Sequence, residues 1–137
     1  MKVVVIDGQG GRIGKTIIEQ IRKKLPLVEI IGVGANSIAA SAMLKAGATA
    51  CASGENAAIY NCSDADVICG ALGIAFANSM YGEISPKMAR AVSESGAMKL
   101  LIPMKNGGIR VLGVEEKAVL LYVEEMVGEI VRLAEQK

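Results

Sequence analysis

Residues 1–25, MKVVVIDGQGGRIGKTIIEQIRKKL, decide how the rest of the chain is read. Val3-Val4-Val5-Ile6 is an unbroken apolar run of strand length, mostly β-branched. Asp7-Gly8-Gln9-Gly10-Gly11-Arg12-Ile13-Gly14 is a glycine-dense turn. Ile13, Ile17, Ile21 and Leu25 then recur four apart, while Lys15, Glu19, Arg22 and Lys23 lie off that face, which is a helical pattern. Strand, glycine turn and helix in that order open a nucleotide-binding β-α-β unit.

The turn admits several readings. As Gly8-x-x-Gly11-x-x-Gly14, the first glycine permits the tight turn out of the strand. The second lets backbone N–H groups approach a phosphate with no Cβ in the way, and the third lets the helix lie close on the strand. The helix N-terminus then offers unpaired N–H groups and a partial positive charge to an anion. A Gly-x-Gly-x-x-Gly reading from Gly8 fails because Ile13 stands where the last glycine belongs. A P-loop ending in Gly14-Lys15-Thr16 has Gln9 in place of its first glycine. The stretch therefore reads as a phosphate or nucleotide site, as a purely structural strand-to-helix corner, or as a deviant P-loop. Asp7 is expected to cap the turn locally, since a carboxylate there repels an anion.

Downstream, the pattern keeps alternating. Pro26 ends the first helix, and residues 28–33 read as a second strand. Gly34-Ala35-Asn36-Ser37 follows, with Ser37 expected as a helix N-cap. In an NAD-binding fold an acidic residue about 20 positions past the glycines holds the ribose hydroxyls. Here Asn36 and Ser37 occupy that place, so adenosine recognition would rest on neutral hydrogen bonds. Residues 48–51 read as a weak third strand, residues 65–70 as a stronger fourth ending at Gly70, and residues 99–103 as a fifth. Lys105-Asn106-Gly107-Gly108 carries an Asn-Gly hairpin signal, which predicts an antiparallel sixth strand over residues 109–114. The expected architecture is one α/β domain over residues 1–137. It is a Rossmann-like three-layer fold with a mostly parallel sheet of five to six strands, an antiparallel edge strand and a long C-terminal helix.

Two segments carry functional expectations beyond the turn. Residues 71–83 are apolar and glycine-punctuated, with Asn78, Ser79 and Glu83 as polar side chains. Loops at strand C-termini line the crevice in such sheets, so these groups either face a ligand at residues 8–14 or satisfy backbone atoms. The last helix, expected over residues 115–135, repeats Val119, Val123, Met126, Ile130 and Leu133 at heptad spacing, flanked by Leu120 and Val127. That seam serves either the chain's own sheet or a homodimer.

Composition excludes several classes. The chain is 52% hydrophobic but only 3% aromatic and has no Trp, so its core must be built from Val, Ile, Leu, Ala and Met. A net charge of +1 gives no electrostatic footprint for nucleic acid. The longest uncharged apolar stretch, residues 67–77, is too short to cross a bilayer, and no secretory signal is visible. Cys51, Cys62 and Cys69 have no metal-type spacing and read as reduced thiols of a cytoplasmic protein. The absence of histidine removes the commonest general base and zinc ligand, and no metal is expected.

The run Gly8-Gln9-Gly10-Gly11-Arg12-Ile13-Gly14 resembles the opening of dihydrodipicolinate reductase, whose pyridine-nucleotide motif also ends Gly-Gly-Arg-hydrophobic-Gly. The resemblance covers about the first twenty residues. It implies a dinucleotide pyrophosphate, of NAD or NADP, over residues 8–14, with Arg12 near a ribose or its phosphate. The reductase's histidine-and-lysine catalytic motif and second domain have no counterpart here. The whole chain also resembles a family of short bacterial proteins known only as a domain of unknown function. That resemblance rests on Asp7-Gly8-Gln9-Gly10-Gly11, Ser41-Ala42-Met43-Leu44-Lys45-Ala46-Gly47-Ala48, Gly54-Glu55-Asn56-Ala57 and Ala77-Asn78-Ser79-Met80-Tyr81-Gly82-Glu83. It implies a Rossmann-like fold and no activity.

The expected function is binding of a nucleotide or dinucleotide at Gly8, Gln9, Gly10, Gly11, Arg12, Ile13 and Gly14, helped by Gly34, Asn36, Ser37, Gly70 and Asn78. The protein would then act as a sensor or assembly module, as a homodimer through the last helix. One alternative is a small dinucleotide-dependent reductase-like enzyme working through Asn78, Ser79, Glu83 and Lys105. Another is a structural oligomer that binds no ligand.

Overall fold

Val3, Val4, Val5 and Ile6 present apolar side chains alternately to the two faces of a strand, and all four are buried. A strand buried on both faces belongs in the middle of a parallel sheet. The computed structural model, which describes residues 1–104 and 108–136, places it there. The chain runs β1 (Lys2–Asp7), α1 (Arg12–Lys24), β2 (Glu29–Gly34), α2 (Ser37–Lys45), β3 (Ala50–Ser53) and α3 (Glu55–Cys62). It continues through β4 (Val67–Ala71), a 3-10 turn (Leu72–Ala75), α4 (Pro86–Glu94), β5 (Met98–Ile102) and α5 (Val119–Glu135). The sheet order is β3-β2-β1-β4-β5, and every pairing is parallel.

Each face of the sheet has its own core, which makes three layers. Val3 and Val5 meet Ile17, Ile18 and Ile21 of α1, Met43 of α2, and Val123, Met126, Val127 and Ile130 of α5. Val4 and Ile6 meet Ala58 and Cys62 of α3, and Met88, Ala89 and Val92 of α4. Burying a side chain such as Ile17 or Ile68 fully contributes about 1.5–3 kcal/mol, so these two clusters dominate the stability of the domain. Among the described residues no helix is long and apolar enough to cross a membrane.

The structure departs from expectation at three places. No sixth strand forms among the described residues: Ile109 makes one isolated bridge. Gly108 and Gly113 have φ of 78° and 82°, which breaks the extended backbone at both ends of the segment. The Asn-Gly signal at Lys105, Asn106 and Gly107 lies outside the described residues. Helix α2 is capped by Asn36 rather than Ser37, because Asn36 Oδ1 accepts the Ala39 N–H at 2.8 Å and Ser37 is already helical. Helix α5 begins at Val119, four residues late, since Glu115 and Glu116 are exposed and the Glu115 carbonyl takes the Tyr122 hydroxyl instead. Its heptad seam lies against α1 and β5, with Val123 and Ile130 fully buried, so of the two roles expected for the seam the chain's own core takes these residues. Leu120 and Leu121, off that seam, remain half-exposed.

Candidate functional site

The strand order reverses direction at β1, whose two neighbours are β2 and β4. In open α/β sheets the ligand crevice lies outside the carboxyl ends of the strands at such a point. Two segments meet there: the glycine turn after β1 and residues 72–85 after β4.

The turn is built around Asp7. Its carboxylate accepts the Gly8 N–H at 2.8 Å and the Gly14 N–H at 2.7 Å, and the Ile13 N–H also points to it. Gly11, the N-cap of α1, supplies no side-chain cap. Asp7 therefore caps α1 from the end of the preceding strand and takes two of the four orphan donors of the helix. This matches the capping role expected from sequence. Asp7 is 6% exposed, and burial raises its pKa above the usual 3.8. The three N–H groups pull the other way, and Glu83 adds to the rise.

A second carboxylate closes the turn from outside. Glu83 Oε1 accepts the Gln9 N–H at 2.6 Å, and Glu83 Oε2 accepts the Asn36 Nδ2 amide at 2.6 Å. Asn36 Nδ2 also donates to the Gln9 carbonyl at 3.0 Å. Turn, α2 N-cap and post-β4 segment are thus tied together by one asparagine and one glutamate. The donors of Gly8, Gln9, Ile13 and Gly14 that a phosphate would use are all engaged by the chain's own carboxylates. Among the described residues the exposed Gly10 and Arg12 make no backbone N–H bond of this kind.

The glycines divide their work differently from the expected scheme. Gly8 makes the turn, and a Cβ there would lie 2.8 Å from Met80 Sδ and 3.0 Å from Glu83 Oε1. At Gly11, expected to open the way for a phosphate, a Cβ would instead lie 2.8 Å from the Ala39 Cα. The missing side chain there lets α2 approach α1. A Cβ at Gly14 would lie 3.1 Å from the Asp7 Cβ and 2.7 Å from Met43 Sδ, so this glycine does let the helix lie close on the strand. Gly10, which the even-spacing scheme leaves out, faces open space apart from Arg12 Cγ at 3.8 Å.

The remaining candidates fall on both sides of the crevice. Gly34 ends β2, and a side chain there would run into the Ala40 backbone. Gly70 is buried in β4, 2.7 Å from the Ile6 carbonyl by the same measure. Both are packing positions. Ser37 and Asn78 are exposed, and the Asn78 N–H donates to the Ile84 carbonyl at 2.7 Å. The Ser79 hydroxyl is held by the Gly73 and Phe76 carbonyls. Lys105 lies outside the described residues. Sequence reading missed Met80, whose contact with Gly8 spans more than seventy residues; only the turn-forming Asn78 and Gly82 flag the bend that delivers it.

Two of the three cysteines, Cys62 and Cys69, are buried in the core. Burial pushes the Cys69 thiol up to about 12 and the Cys62 thiol up to about 11, the latter against the opposing charges of Lys2 and Lys99. Neither supplies a thiolate at neutral pH.

A family model described as a domain of unknown function (DUF3842) matches residues 2–135. No curated protein sequence matches the chain. A solved structure described as a dodecameric FMN-dependent UbiX-like decarboxylase from Escherichia coli O157:H7 is similar at 17% identity. That alignment covers 95% of this chain and 76% of the other, with a TM-score of 0.46.

Proposed function

We propose that this chain, which belongs to the family described as a domain of unknown function (DUF3842), binds a nucleotide or dinucleotide at its glycine turn and acts as a sensor or assembly module. One observation carries the reading: the strand order turns back at β1, and the glycine turn and residues 72–85 are the two segments that flank the reversal. NAD and NADP are the leading candidates, from the likeness of residues 8–14 to a pyridine-nucleotide motif.

The phosphates would seat at Gly10 and Arg12, the outward part of the turn. There both residues are exposed, a Cβ-free residue faces open space, and the Arg12 side chain lies beside it. Asn36 and Ser37 would meet the ribose. A phosphate reaching further in, toward Gln9, meets Glu83 and must displace it.

A thermal-shift screen against NAD, NADP, NADH, NADPH, ATP, GTP, FMN and FAD tests the reading. A ligand present at 100 times its dissociation constant stabilises the native state by about 2.7 kcal/mol, which a melting curve resolves. At least one nucleotide should raise the midpoint. No shift with any of them at millimolar concentration refutes the proposal.

A further inference from the structure

Residues 76–84 fold back on themselves over the glycine turn. The Asn78 N–H donates to the Ile84 carbonyl, and the Ile84 N–H returns to the Ser79 carbonyl at 3.2 Å. Ser79 is buried and Ile84 is fully buried, so both anchor points are fixed in the core. Between them Met80 and Tyr81 have φ of 58° and 57°, left-handed values that side chains with a Cβ adopt at a cost. Gly82 follows at 87°. Tyr81 is 99% exposed, so its own packing does nothing to stabilise this backbone. Two backbone bonds within the segment, Gly82 N–H to the Asn78 carbonyl and Glu83 N–H to the Met80 carbonyl, both 3.1 Å, shape the bend, and contacts at the glycine turn dock it: Met80 lies over Gly8, and Glu83 bonds Gln9 and Asn36.

We infer that residues 80–83 form a latch on the glycine turn, with the Glu83 carboxylate as an intramolecular competitor for the ligand. A carboxylate and a phosphate oxygen take the same donors with the same geometry. Glu83 holds two of them, the Gln9 N–H and the Asn36 side-chain amide. Closing brings Glu83 toward Asp7, another carboxylate, and keeps Met80 and Tyr81 in a strained backbone. Both effects work against the two hydrogen bonds, which leaves the closed form favoured over the open one by only about tenfold. Gly82 beside two strained residues is the natural hinge. The competitor's identity rests on the nucleotide-binding reading, whereas the latch itself is measurable without ligand.

The test uses the full chain, wild type against Glu83→Ala and Glu83→Gln. Hydrogen exchange of the Gln9 amide is read in ligand-free protein, and NADPH binding is read by calorimetry. Removing the carboxylate should speed Gln9 exchange about tenfold while β1 amides stay protected, and NADPH should bind about tenfold more tightly. Tyr81→Gly, which relieves backbone strain at a fully exposed position, should slow Gln9 exchange and weaken NADPH binding; it also serves if a Glu83 variant does not fold. Unchanged Gln9 exchange in every variant overturns the latch. Faster exchange with weaker NADPH binding overturns it too, because Glu83 would then be a ligand contact. If no variant binds NADPH or any nucleotide of the screen, the nucleotide reading falls, and Gln9 exchange alone decides the latch.

Discussion

Replacing Gly11 with alanine separates packing from ligand access as the purpose of the glycine turn. Gly11 has φ of +70°, and the new Cβ would lie 2.8 Å from the Ala39 Cα and 2.9 Å from the Ala39 carbonyl oxygen. These are backbone atoms of α2 and cannot swing aside. The left-handed conformation costs about 1–2 kcal/mol, and forcing two helices apart adds about 1–3 kcal/mol. Gly11→Ala should therefore destabilise the fold by about 2–5 kcal/mol, a large share of an ordinary domain's stability. Gly14→Ala meets chiefly the flexible Met43 side chain. Its overpacking cost of about 1–3 kcal/mol is offset by about 1 kcal/mol from alanine's better helix propensity. Gly10→Ala meets nothing closer than 3.8 Å and should be neutral or stabilise by about 0.4–1 kcal/mol. Urea denaturation of the three variants gives the ranking directly from the midpoints. A Gly11→Ala cost under about 1 kcal/mol, or Gly10→Ala as the most damaging change, would show that the helix-approach account is wrong.

Three more outcomes are expected. Asp7 has a raised folded pKa, so its contribution to stability is complete below the unfolded value near 3.8 and declines as pH rises through the folded value; the stability difference between wild type and Asp7→Asn, followed by urea titration at successive pH values, should shift in wild type's disfavour over that interval, and a flat difference would contradict it. A thiol reagent should modify half-buried Cys51 alone in the native protein and all three cysteines in denaturant, because Cys62 and Cys69 are buried and protonated; fast native labelling of two or more counts against the core described here. Ile130→Ala should cost about 2–5 kcal/mol, as a core cavity does, since the α5 seam faces the chain's own sheet; a variant of unchanged stability whose light-scattering mass has fallen would return the seam to an intermolecular role.

Much of the architecture was legible because it is written locally. Val3 to Ile6 and Val67 to Cys69 are apolar, strand-length runs between turn signals, and strands buried on both faces look like that. Ser85 followed by Pro86 announced α4 as cap and first residue, and Ser85 Oγ does accept the Met88 N–H. Asp7 was legible as a cap because the groups it bonds lie within seven residues of it. The sixth strand misled because Asn-Gly reports a local bend, whereas Gly108 and Gly113 interrupt the extended backbone that a hairpin partner would need. The seam of α5 was legible as an apolar face but not in its partner, because periodicity identifies the face and leaves what covers it unnamed. The role of Gly11 was illegible for a related reason: absence of a Cβ serves a phosphate and a neighbouring helix equally well. The grip of Glu83 on Gln9 joins positions 74 residues apart, and no short-range pattern encodes it.

The central place of β1 also sets an order of events during synthesis. The strand is translated before either of its neighbours, yet hydrogen-bonds to both. Its second partner is complete only at Ala71, which at ordinary elongation rates means roughly 3 to 13 s of waiting. No hairpin can shelter Val3 to Ile6 in that interval, because a parallel neighbour needs a whole crossover to arrive. The most water-averse segment of the nascent chain is thus the one left longest without its full set of neighbours.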